Sequence, residues 1–149
     1  MYKFIVGFVI LAVLTSCGGG GETAEKYMQA GFVNFQKQEY DQAIANFQKA
    51  VNLEPRAAAG YNMLGMAYRL KAQQLGIPEL RAKETAAFQK AVEIDPNNVV
   101  ALINLGVTYY GQGEKAKAAP LFKKALALYP QHPEKVQFEK MIAEGEGRP

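Results

Sequence analysis

Three segments of this chain resemble one another, and no other feature limits the possible folds as strongly. Each segment contains two stretches with apolar residues three and four positions apart, followed by a proline at position 55, 96 or 130. Such spacing is typical of a helix with one buried stripe, and a proline after the second helix ends the unit because it lacks a backbone N–H. One helical hairpin buries little of its apolar face, so the repetition predicts hairpins that stack on their neighbours.

The last unit carries a regular series of small, aromatic and apolar residues, and its final proline follows the previous one by 34 residues. The series is Leu102, Leu105, Gly106, Tyr109, Ala118, Phe122, Ala125 and Pro130. In spacing and residue type the units resemble the tetratricopeptide repeat. The middle unit departs from that pattern, because Glu84 replaces a small residue and seven extra residues separate its two halves.

This resemblance implies an all-α, right-handed solenoid of three helical hairpins with a C-terminal capping helix. We expect the repeat domain over residues 23–144. Its repeats should lie at about 24–57, 58–98 and 99–132, followed by the capping helix at 134–144 and a disordered tail at 145–149. The seven extra residues equal about two helical turns. They predict one added turn in each arm of the middle hairpin and a protruding tip with Leu75, Ile77 and Leu80.

The start of the chain has the pattern of a secretory signal: Lys3, an apolar run over Phe4–Leu14, then small residues. The run of 11 residues is shorter than the roughly 20 that a membrane-spanning helix needs. Residues 14–17, Leu-Thr-Ser-Cys, resemble the lipobox of bacterial lipoproteins. That resemblance implies a signal peptide over 1–16, acyl chains such as palmitate on Cys17, and a Gly-rich leash over 17–22. The alternative is a chance thiol beside an ordinary cleavage site.

The lipobox implies a location in the bacterial cell envelope, on a membrane, and on the periplasmic side of the outer membrane in a Gram-negative source. The formal charge of +3 is small for a nucleic-acid binder. His132 is the single histidine and Cys17 the single cysteine, so we expect no metal site, no cofactor and no enzymatic activity. A cluster of Lys115, Lys117, Lys123 and Lys124 predicts a solvated face, with weak attraction to anionic lipid headgroups or cell-wall polymers as the alternative.

In tetratricopeptide domains the first helices of successive units line a concave groove that holds an extended peptide or a partner helix. The resemblance places eleven residues there: Met28, Phe32, Phe35, Asn62, Met63, Met66, Arg69, Ile103, Asn104, Val107 and Tyr110. Relatives that clamp a C-terminal carboxylate carry Lys, Asn and Arg at slots that here hold Met28, Phe32, Met63, Val100 and Asn104. The mostly apolar slots therefore disfavour a carboxylate clamp.

Two functions remain open from the sequence. The first is a membrane-tethered adaptor that binds a peptide or helix of an envelope protein in the groove. The second is a carrier of an apolar small molecule or lipid in the same groove. A third interpretation leaves no free groove, because the leash or a neighbouring helix covers Phe32, Phe35 and Tyr110.

Overall fold

A computed structural model describes residues 21–148, which form seven α-helices and no strand. The signal segment, Cys17 and Gly18–Gly20 lie outside the described residues. Each helix packs on the next one along the chain, which gives three hairpins and a capping helix. The all-α solenoid predicted from the repeats is therefore confirmed. The helices are α1 Ala24–Gln36, α2 Tyr40–Leu53, α3 Ala58–Leu75, α4 Leu80–Ile94, α5 Val99–Gly111, α6 Lys115–Leu128 and α7 Lys135–Gly145.

Within every hairpin a glycine of the first helix faces a phenylalanine of the second. A Cβ atom on Gly65 would lie 2.7 Å from Cε1 of Phe88, and the same contact recurs at Gly31 and at Gly106. The three phenylalanines are fully buried. Because each glycine lets its ring approach the helix backbone, the two helices of a unit pack closely.

The middle hairpin is longer than its neighbours, but the extra length is not shared equally between its arms. α3 has 18 residues where α1 and α5 have 13, whereas α4 has 15 where α2 and α6 have 14. The expectation of one added turn in each arm is therefore corrected. Gly76, in the left-handed region at φ 65°, ends α3 only after Leu75. A turn through Pro78 delays α4 until Leu80, with the N–H of Arg81 donating to the Pro78 carbonyl at 3.0 Å.

The disordered tail was expected over residues 145–149, and the structure describes residues 145–148 of it. Gly145 is the last residue of α7 and packs against the α6 backbone at Lys115. Gly147 takes a left-handed conformation at φ 67°, and the N–H of Arg148 donates to the Ala143 carbonyl at 2.9 Å. This is a Schellman end of the helix, so residues 145–148 complete the cap.

Candidate binding groove

The first helices of the three units, α1, α3 and α5, carry the predicted groove residues at equivalent positions. On α3 the spacing of Asn62, Met66 and Arg69 is four and then three residues, which places them on one helix face. The same spacing occurs in the other two units. The triplets are Met28, Phe32 and Phe35 on α1, and Ile103, Val107 and Tyr110 on α5.

The apolar part of this surface is most open at the position that directly follows the packing glycine of each unit, here called slot nine. It holds Phe32, Met66 and Val107. Phe32 is 48% exposed and Val107 is 38% exposed, while Met66 is half-buried. Met28 and Met63 are half-buried and pack against the core formed by units one and two. Single apolar side chains on a surface are common, but aligned ones along a groove are typical of a contact surface.

The centre of the surface is polar. The side-chain amide of Asn104 donates to Oδ1 of Asn62 at 2.9 Å. Arg69 bonds to Asn104 twice, at its Oδ1 (3.2 Å) and at its backbone carbonyl (2.9 Å). These bonds bring the α3 and α5 members of the predicted set into direct contact.

The resemblance places Arg69 in the groove as a residue that contacts a partner. In the structure its guanidinium instead bonds to other groups of this protein. Its Nε donates to Oε1 of Glu84 at 2.7 Å, and its Nη2 donates to Oγ1 of Thr108 at 2.7 Å. The two bonds to Asn104 and a 3.8 Å contact with the sulfur of Met66 use its remaining N–H groups. Arg69 therefore joins units two and three and has no N–H left for a partner.

Glu84, the residue that departs from the repeat pattern, is the acidic half of this arrangement. It is only 6% exposed, and its Oε1 also accepts a bond from Thr108 at 2.9 Å. A buried carboxylate needs a cation and hydrogen-bond donors, and Arg69 and Thr108 supply them. Sequence reasoning flagged Glu84 but missed its partners. The ion pair could have been predicted from an acidic residue at a buried position of one helix together with an arginine on the preceding helix of the same hairpin.

Tyr110, at the C-terminal end of the groove, is bound to the capping helix. Its hydroxyl donates to Oε2 of Glu144 at 2.6 Å, and the ammonium of Lys115 donates to the same oxygen at 2.7 Å. These donors lower the pKa of Glu144, the Lys115 bond most of all. The bond to Glu144 in turn raises the pKa of Tyr110 and of Lys115. A neighbouring helix therefore occupies this hydroxyl, whereas the ring of Phe32 remains open.

The lysine cluster of α6 is largely paired. Lys115 bonds to Glu144 and Lys123 bonds to Glu146, both acids of the capping region, and Lys117 bonds to Glu114. Such exposed pairs contribute little stability each, but they offset the local positive charge.

A recess of about 260 Å³ opens between α3, α4 and α5, next to the buried ion pair. It is lined by Arg69, Ala72, Gln73, Arg81, Glu84, Val107, Thr108, Gly111 and Gln112. Within residues 21–148 there is no group of three acidic, histidine or cysteine side chains placed to hold a metal ion. None of the seven helices combines the length and apolar character needed to cross a bilayer.

Two tetratricopeptide repeat family models match the chain, one over residues 99–132 and the other over residues 31–71. The matched segments together span half of the sequence, and the chain belongs to the tetratricopeptide repeat proteins. No curated protein matches it significantly.

Several solved structures share the fold. The tetratricopeptide domain of Arabidopsis OM64 is 22% identical, with a TM-score of 0.71, over 85% of this chain and 98% of that domain. The TPR2B domain of yeast Sti1, in a pHsp70 complex, is 20% identical, with a TM-score of 0.67, over 83% and 96% of the two chains. The second such domain of human RPAP3, in complex with an HSP70 peptide, is 17% identical, with a TM-score of 0.68, over 83% and 94%.

Proposed function

We propose that this protein is an adaptor that holds a peptide or helix of an envelope protein in its concave groove, while a lipid on Cys17 tethers it to a membrane. The observation that carries the groove assignment is the open apolar row at slot nine, with Phe32 at one end and Val107 at the other. Met66 lies between them in the same slot. Aromatic and methionine side chains adapt to irregular apolar partners, which suits such a row to a partner's apolar side chains.

The chemistry of the groove favours an uncharged segment over a C-terminal carboxylate. The Sti1 structure is a pHsp70 complex and the RPAP3 structure holds an HSP70 peptide, so peptide binding has precedent on this fold. Here the slots of a carboxylate clamp carry no lysine or arginine, and Arg69 is committed to Glu84. In the described part of the chain the side-chain amide nitrogen of Asn62 donates to no protein group. That nitrogen is free to bind a backbone carbonyl of the partner.

The tether is supported by the sequence of residues 14–17. Six residues separate Cys17 from the start of α1 at Ala24. At about 3.5 Å per residue they reach about 20 Å at full extension. The first hairpin would therefore stay close to the membrane surface. Cys17→Ser should abolish incorporation of labelled palmitate and move the protein to the soluble fraction; unchanged membrane association would contradict the tether.

The groove assignment is tested by affinity purification from detergent-solubilised cells, followed by protein and lipid mass spectrometry. Phe32→Glu should remove the co-purified polypeptide, because a carboxylate in an apolar contact is costly to desolvate. Val136→Glu is the matched control, since Val136 is 80% exposed on α7, outside the groove. Equal loss in both variants, or recovery of a bound lipid with no polypeptide, would overturn the adaptor assignment.

A further inference from the structure

The recess between units two and three exists because the middle hairpin is too long for its neighbour. α3 has five residues more than α5, which corresponds to an overhang of about 7.5 Å. α5 ends at Gly111, so no side chain of α5 covers the added turn of α3. Ala72 and Gln73 of that turn form one wall of the recess, and Gly111 and Gln112 form the opposite wall.

The floor of the recess carries an unsatisfied acceptor. Oε1 of Glu84 accepts the bonds from Arg69 and Thr108, and among the described residues no group donates to Oε2. Every fully enclosed side-chain nitrogen or oxygen in that part of the chain has a partner. Oε2 is therefore not enclosed, and Glu84 is one of the residues that line the recess.

The wall of the recess supplies a donor with no protein partner. Arg81, on the first turn of α4, lines the recess and forms no ion pair within residues 21–148. Arg69 already balances the charge of Glu84. A cationic ligand on the floor of the recess would be repelled by Arg81, and an anionic ligand would be repelled by the carboxylate of Glu84. A neutral group with one N–H donor and one carbonyl acceptor complements both side chains.

We propose that this recess binds a primary carboxamide, the side-chain group of asparagine or glutamine, donating to Oε2 of Glu84 and accepting from Arg81. The inference rests on the proposed function, in which the carboxamide belongs to the segment held in the groove, since Val107 borders both surfaces. The carboxamide site would make the groove select, at its unit-three end, a partner segment with asparagine or glutamine. A polar site of this kind disfavours ligands that leave its donor or acceptor unpaired.

The test uses three probes of nearly equal size on the full chain in detergent: propionamide, propionate and propylammonium. Titrations followed by ¹H–¹⁵N NMR should show saturable shifts at the amides of Gly111 and Gln112 with propionamide. Its affinity should exceed that of either charged probe about tenfold, or about 1.4 kcal/mol, because a charged probe leaves the donor or the acceptor of the site unpaired. Absence of saturable shifts with propionamide, or equal or tighter binding of a charged probe, would overturn the proposal.

Two variants and one control locate the site without removing the buried ion pair. Gly111→Leu should narrow the recess, which Gly111 lines, and abolish the shifts at Gln112. A Cβ at this position meets nothing within 4 Å, so the substitution leaves the packing of the fold unchanged. Gln36→Leu, at the equivalent exposed slot of α1, should bind like the wild type. Arg81→Leu should weaken propionamide about tenfold. Unchanged binding in Gly111→Leu places the probe elsewhere and refutes the site. Because no envelope partner is needed, this result is independent of whether the adaptor proposal holds.

Discussion

Replacing Glu84 by alanine restores the small residue expected at that slot of the repeat, yet it should destabilise this protein. The substitution removes the carboxylate that compensates Arg69, whose side chain is only 16% exposed. Removal of one partner of a buried ion pair lowers the free energy of unfolding by about 3–5 kcal/mol. One charge-assisted hydrogen bond contributes about 1.5–3 kcal/mol to it. Arg69 keeps its bonds to Asn104 and Thr108. We therefore expect a loss of about 3 kcal/mol in the free energy of unfolding and a Tm lower by about 10 °C.

Urea unfolding followed by circular dichroism at 222 nm measures this loss, with the variants Glu84→Ala, Arg69→Leu and the double replacement compared. The double variant should recover most of the stability, since apolar residues can replace a buried ion pair at little cost. Glu93→Ala is the control on the same helix, because its exposed pair with Lys90 should be worth less than 1 kcal/mol. Wild-type stability of Glu84→Ala, or additive losses in the double variant, would refute the reasoning.

Three further changes test other parts of the fold. Gly65→Ala should cost about 1–3 kcal/mol in the urea assay, because its Cβ would lie 2.7 Å from Phe88; an unchanged midpoint would contradict the close helix contact. The lowered pKa of Glu144 stabilises the fold above the ordinary carboxylate range, and this contribution is lost as pH falls through the lowered value. Glu144→Gln should therefore have a lower Tm than the wild type at pH 6, with a smaller difference at pH 3; a difference independent of pH would refute this. Deletion of residues 71–77 should preserve a cooperative thermal unfolding transition, because it removes the five residues by which α3 exceeds α5 and the first two residues of the turn that follows; loss of cooperativity would show that the overhang is part of the core.

The helices and their order could be predicted because local rules decide them. Three features recur in every unit: the apolar spacing, the glycine opposite a phenylalanine and the final proline. A departure from the pattern in one unit therefore does not prevent the repeat from being identified. Pro120 lies inside α6, where the apolar stripe continues beyond it at Leu121, Phe122 and Ala125. Such rules depend on residues that lie close together in the sequence, so the sequence alone reveals them.

The contacts that define the groove were harder to predict because they join residues far apart in sequence. Arg69 reaches Asn104 and Thr108 across 35 and 39 positions, and nothing in the repeat pattern selects those pairs. The unequal arms of the middle hairpin depend on where Gly76 adopts a left-handed conformation. The position at the chain end predicted a disordered tail over residues 145–149, whereas Gly145 packs against α6 and the N–H of Arg148 donates to the Ala143 carbonyl.

The central claim, that the groove holds a polypeptide, is tested most directly by photo-crosslinking in intact cells. A benzophenone amino acid is placed at Phe32, and in a separate variant at Val136 on the outer face of α7. After irradiation, immunoblots should show a discrete band of higher mass for the Phe32 position and none for Val136. Absence of a polypeptide adduct at Phe32, or the same adduct at both positions, would contradict the claim.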